Sequence, residues 1–229
     1  MDFAYNDEQK DIIKVVRDLV QKEIVPYAAE MDETGKLHEG LLDKLAAQGL
    51  LGVAIPEEFG GAGLDAITIA GVYEELAKGC GGVATTVAAN ALASYPVILA
   101  GNDDQKKRYF DVINEDNLAA FALTEPGTGS DAGSVSTRAT KTEDGKGYLL
   151  NGTKCFITNG GLAEIFVVFA NTRKTGGIRG LTPFIVRKGT PGFTIGKEEN
   201  KMGIRASNTT ELIFDNCFVP VEDRLGREG

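Results

Sequence analysis

Three glycine-rich stretches hold the residues whose types and spacing could do chemistry. The first, Gly61-Ala62-Gly63-Leu64-Asp65-Ala66, fits a relaxed dinucleotide-binding fingerprint. That fingerprint works only between a strand and a helix, where the helix N-terminus holds a pyrophosphate. Here Pro56-Glu57-Glu58-Phe59 precedes it, which favours a plain loop. The second, TEPGTGSD at residues 124–131, follows a short apolar run. Glycines there let backbone N–H groups come close to a phosphate or a planar ring, and Thr124 and Ser130 add hydroxyls. An ordinary turn explains the same composition equally well. The third is KCFITNGG at residues 154–161, at the end of a hairpin. Side chains alternate along a strand, which puts Phe156 and Thr158 on one face. A ring two residues from a hydroxyl can cover a planar group and bond its edge, although core packing is the ordinary role of such a phenylalanine.

Other chemistries are poorly supplied. His38 is the only histidine, which excludes triads built on histidine and most histidine-ligated metal sites. Cys80, Cys155 and Cys217 are odd in number and far apart, so they read as buried thiols rather than as a disulfide framework or metal ligands. The net charge of −9 argues against nucleic acid, whose partners carry a basic face. The N-terminus has neither the basic nor the apolar region of a secretory signal, and a cytoplasmic protein is expected. Residues 79–102 run 24 positions without a charge, long enough to cross a bilayer. Thr85, Thr86, Asn90, Ser94, Pro96 and several glycines interrupt that run, so a helix enclosed by protein neighbours is the better reading, and no membrane span is expected.

The elements that must position these stretches fall into two halves. Up to about residue 118 the apolar period is helical. Asn6 and Gln9 have capping-box spacing, and Ile12, Val16, Leu19, Val20 and Ile24 follow until Pro26. Leu41, Leu42, Leu45 and Ala46 repeat the pattern, with Gly49 as the stop. Further helices are expected over residues 66–77, over the uncharged run, and after Asn102, with Tyr109, Phe110 and Ile113 facing inward. Beyond residue 118 the period becomes two. Short strands are predicted over 118–124, 135–142, 165–170, 181–186, 193–195 and 211–219, with hairpin turns at Asp144-Gly145 and Asn151-Gly152. No helix separates the strands, so the fold class is α+β: an all-α bundle (1–118), then an antiparallel β-barrel or sandwich (119–229). The helical half carries −11 and the β half +2, a weak signal for an anionic ligand on the β half.

Taken in order, PEEFGGAG (56–63), AFALTEPGTGSD (120–131), NGTKCFITNGG (151–161), KMGIRASNT (201–209) and FDNCFVP (214–220) resemble the acyl-CoA dehydrogenase family along essentially the whole chain. The bacterial short-chain, butyryl-CoA-type members are the nearest in character. The resemblance implies a helical domain, a middle β domain and a C-terminal four-helix domain, of which this chain holds the first two. It implies FAD as cofactor and α,β-dehydrogenation of an acyl-CoA thioester. An electron-transfer flavoprotein is the implied acceptor, and a homo-oligomer, tetrameric when complete, the implied assembly. It also identifies positions. Phe121, Leu123 and Thr124 match residues meeting the flavin edge, and Ser130 one near the flavin pyrophosphate and the substrate's pantetheine arm. Phe156 matches the ring-packing aromatic, commonly tryptophan, and Thr158 the threonine donating toward flavin N5. Thr128 departs from the alanine more usual there. Arg173, Lys174 and Arg179 could meet CoA phosphates or form a solvated hairpin tip. The family's glutamate base belongs to the missing domain, so no catalytic residue is assigned, Glu125 included. A flavin oxidase or monooxygenase on the same scaffold, or a short non-catalytic acyl-CoA or partner-binding module, are the alternatives.

Overall fold

The computed structural model describes residues 4–173 and 177–228. Six α-helices come first: α1 (Asp7–Leu19), α2 (Ala28–Thr34), α3 (Leu41–Ala47), α4 (Ala66–Gly79), α5 (Gly81–Ala100) and α6 (Asp103–Asn114). Seven strands follow: β1 (Ala119–Ala122), β2 (Arg138–Lys141), β3 (Gly147–Thr158), β4 (Ile165–Asn171), β5 (Leu181–Arg187), β6 (Phe193–Glu198) and β7 (Thr209–Pro220). Both capping boxes form, Asn6 with Gln9 and Asn102 with Gln105, each satisfying two backbone donors that a helix start leaves free. The chain does not stop at Pro26. After α1 it runs through a π turn (Val20–Ile24) and a 3-10 turn (Val25–Tyr27) into α2, with Pro26 in a first turn that needs no N–H from it. Arg17 on α1 holds Glu75 on α4 through two hydrogen bonds of 3.1 and 2.8 Å.

The uncharged run becomes α5, long and apolar enough by length and composition to cross a membrane, and here packed among the other elements. Its polar residues face inward: Thr86, Asn90 and Ser94 are fully buried. Asn90 accepts from Ala119 N–H at 2.8 Å and donates to the Leu51 carbonyl at 3.4 Å. The opposite face leaves Leu92, Tyr95 and Leu99 exposed.

The strands make one curled sheet in the order β1-β4-β2-β3-β7-β6, with β5 also on β4. The antiparallel expectation holds for β2–β3, β3–β7, β4–β5 and β6–β7. The sheet is mixed, however: β1 lies parallel to β4 from Ala119↔Ile165 to Ala122↔Val168, and β2 meets β4 in parallel at Arg138↔Asn171. Parallel neighbours need a long crossover, and the β2–β3 hairpin between β1 and β4 supplies it. Asp144-Gly145 forms the turn of that hairpin, with Gly145 at φ 71°. Asn151-Gly152 does not turn the chain. It lies inside β3 beside a shift in the β3–β7 register, and glycine is required there because a Cβ on Gly152 would sit 2.4 Å from Thr137 Oγ1.

The two halves are joined by polar contacts, those of Asn159 buried. Asn159, just past β3, donates to the Thr86 carbonyl on α5 at 3.0 Å and to the Ala119 carbonyl on β1 at 3.1 Å. Arg205 donates to the Asp32 carbonyl at 2.7 Å, and Gln105 on α6 donates to the carbonyls of Glu222 and Arg224. Asn159→Ala strands the buried Ala119 carbonyl and removes a second donor from the Thr86 carbonyl, which lies inside α5. We expect a loss of roughly 2–5 kcal/mol, read from urea unfolding followed by far-UV circular dichroism.

Candidate flavin-facing site

β1 and β3 are separated in the sheet by β4 and β2, yet curling brings the end of β1 against β3. Three consecutive residues after β1 are fastened there. Lys154 Nζ donates to the Leu123 carbonyl at 3.0 Å, Cys155 N–H donates to the Thr124 carbonyl at 2.9 Å, and Lys154 Nζ donates to Glu125 Oε1 at 2.8 Å. The TEPGTGSD and KCFITNGG stretches thus meet at a buried ion pair, with Lys154 at 0% and Glu125 at 4% exposure. The Glu125 carboxylate also accepts from Ser136 N–H at 2.7 Å, Ser136 Oγ at 2.6 Å, Thr137 N–H at 2.9 Å and Thr137 Oγ1. Burial pushes its pKa up, but donation from Lys154, Ser136 and Thr137 outweighs burial and holds it at about 2, against an ordinary 4.5. Burial draws Lys154 below the usual lysine value, opposed by Glu125. A carboxylate so held serves as a fastener within the fold.

The predicted residues lie around this pair. Phe121 is half-buried against Phe169, ring centroids 4.9 Å apart. Thr124 and Thr158 are partly exposed, and Ser130 is exposed on the loop. The hydroxyls of Thr124, Ser130 and Thr158 have no hydrogen-bond partner among the described residues. Phe156 lies at the surface rather than in the core, and strict alternation fails just before it. Lys154 and Cys155 are both buried, the β3–β7 register shifts between Lys154 and Ile157, and Phe156 adopts φ 56° with 64% of its surface exposed. A β-bulge re-aims a side chain in this way.

The loop is closed by paired backbone bonds between Glu125 and Thr128, each 3.0 Å. Thr128, the departure from the family pattern, is buried and donates to the Ser134 carbonyl at 2.9 Å, so the extra hydroxyl is absorbed. A Cβ on Gly127 or Gly129 would meet nothing within 4 Å. The packing within the chain therefore leaves that side of the loop free for a ligand's approach. Residues 61–65 form the plain loop expected, ending at Asp65, which caps α4 through the N–H groups of Ile67 and Thr68. Lys174 lies outside the described residues; Arg173 and Arg179 are exposed.

Two cavities lie away from these residues. One of about 400 Å³ is lined by Ile12, Val16, Leu19, Leu50, Leu64 and Val72, and another of about 440 Å³ by Leu37, His38, Leu42, Leu162 and Ala206. The predicted residues occupy an open face instead. Among the described residues no cluster of three or more His, Cys, Asp or Glu could hold a metal ion, and burial raises the thiols of Cys155 and Cys217, the latter to about 11. Lys154, which sequence reasoning left unassigned, is the residue that assembles the site.

A helical domain followed by a curled mixed sheet, with two sequence motifs clasped at an open sheet edge, defines the class. The chain matches the acyl-CoA dehydrogenase N-terminal domain over residues 6–115 and the acyl-CoA dehydrogenase middle domain over residues 120–217. It belongs to the acyl-CoA dehydrogenase family. It is 46% identical over 224 residues to an acyl-CoA dehydrogenase of Bacillus subtilis (strain 168), covering 97% of this chain and 59% of that protein. The butyryl-CoA dehydrogenase structure from Megasphaera elsdenii superposes with a TM-score of 0.93 at 44% identity, over 100% of this chain and 61% of that one. An acyl-CoA dehydrogenase from Bacillus anthracis, complexed with FAD, gives 0.87 at 38% identity, over 98% of this chain and 38% of that one. The chain thus spans about 60% of the length of the curated relatives it matches.

Because Glu125 is ionised well below its ordinary pKa, its contribution to stability is complete above about pH 4.5 and is lost as pH falls toward 2. Glu125→Gln should flatten this part of the acid limb of a urea-midpoint profile. Near neutral pH, removing either partner alone, as in Lys154→Met, should cost about 3–5 kcal/mol, measured by equilibrium unfolding.

Proposed function

We propose that this chain is the FAD-holding part of a short-chain acyl-CoA dehydrogenase and lacks the carboxylate base of the reaction. One observation carries the reading: in a member of this family, the ion pair clasps the two motifs with an exposed Phe156 ring and free hydroxyls beside them. The residues fit FAD. Phe121 and Phe156 offer rings for a planar group, Thr124, Thr158 and the Leu123 segment offer edge contacts, and Ser130 stands on the loop toward phosphate and pantetheine. When bound, FAD supplies a hydride acceptor at its flavin ring. The chain's own residues orient it, hold hydrogen-bond donors at its edge and shield one face.

The α-proton of a thioester also needs a carboxylate within reach. Glu125, the carboxylate of the site motif, is buried and paired, and the chain spans about 60% of its relatives. These facts support a base outside these residues. Leu92, Tyr95 and Leu99 on the exposed face of α5 support further protein covering that face. An electron-transfer flavoprotein as acceptor, a homo-oligomeric complete enzyme and a cytoplasmic location belong to the same reading.

FAD titrated into the chain should show quenched flavin fluorescence. Loss of one hydrogen bond in Thr158→Ala should cost about 1–3 kcal/mol, raising Kd about 5- to 150-fold. Unchanged affinity removes Thr158 from the site. With butyryl-CoA, FAD and an artificial electron acceptor, the 229-residue chain should show no turnover above background; substantial turnover places the base among these residues.

A further inference from the structure

We propose that Glu125 and Lys154 are positioning residues for the flavin edge, and that the pair serves this placement rather than the stability of the β domain alone. The inference rests on the FAD reading above. Three features of the site follow from the pair. Lys154 Nζ bridges the Leu123 carbonyl and Glu125, which sets the height of the chain at Leu123 and Thr124. The lysine must point inward to do so, and Cys155 beside it is also buried. Two inward residues in succession break the alternation of β3, and Phe156 is turned out at φ 56°. A phenylalanine keeps such a conformation only where its surroundings over-determine it. At the far end of the loop, Glu125 takes the N–H groups of Ser136 and Thr137, which fixes both ends of the segment carrying Ser130.

Stability alone does not call for charges here. A buried ion pair is often replaced by neutral groups of similar volume with no loss of stability, whereas one unpaired charge is strongly destabilising. The double variant Glu125→Gln/Lys154→Met separates the two roles. Gln retains one acceptor oxygen, for either the Ser136 or the Thr137 N–H group, and Met fills the lysine stem's space without reaching the Leu123 carbonyl.

The experiment compares the unaltered chain, Lys154→Met and the double variant by thermal unfolding, FAD titration, visible circular dichroism of bound flavin, and amide exchange at Cys155 and Phe156. The double variant should recover most of the unfolding midpoint lost in Lys154→Met. It should nevertheless bind FAD at least 10-fold more weakly than the unaltered chain, with altered flavin dichroism and faster amide exchange. FAD affinity within twofold of the unaltered chain, with the same dichroism, overturns the inference and leaves the functional reading standing. No FAD binding by the unaltered chain overturns both. Should the double variant not fold, Glu125→Gln/Lys154→Leu decides: it too removes both charges and the bridge, and FAD affinity within twofold of the unaltered chain in that folded variant overturns the inference.

Discussion

A carboxylate and an ammonium withdrawn from water must satisfy one another and every remaining hydrogen-bonding atom, or the fold pays several kilocalories per mole. Glu125 and Lys154 meet that constraint with five hydrogen bonds to the carboxylate, counting those from Lys154, Ser136 and Thr137. In meeting it they draw together β1, the loop after it, the start of β2 and the middle of β3. The curl of the sheet, the bulge in β3 and the outward ring of Phe156 all accord with placing these donors around one buried carboxylate. The site motif is therefore a structural clasp whose outer surface is available for chemistry.

The seam between the halves obeys the same rule with neutral groups. Asn90 and Asn159, both fully buried, exchange hydrogen bonds with backbone groups of α5, β1 and the segment before α4. An otherwise apolar α5 can thus sit at the junction without leaving the first residue of β1 unpaired. Asn90, one of the polar residues that made the uncharged run an unconvincing membrane span, is the side chain of α5 that bonds it to the first residue of β1.

Much was legible in the chain itself because it depends on near neighbours. Capping boxes at Asn6 and Asn102, the stop after α3, the turn at Asp144-Gly145 and the change of period near residue 118 involve partners a few residues apart. The family pattern was legible for a related reason: its motifs are short and ordered. Misreadings arose where a distant partner overrode the local signal. Asn151-Gly152 has turn composition, but its glycine answers to Thr137 across the sheet. Strict alternation along β3 likewise fails at Lys154 and Cys155, both held inward.

The sequence by itself determined the helical and β halves and most of their elements, since these follow from periodicity, capping and residue type. Only the tertiary structure decided that β1 runs parallel to β4 and that Glu125 is locked rather than free. It also decided that Lys154 joins the two motifs. The reason is physical: hydrogen bonds between residues 29 or more positions apart form only after the sheet has curled, and no local preference encodes them.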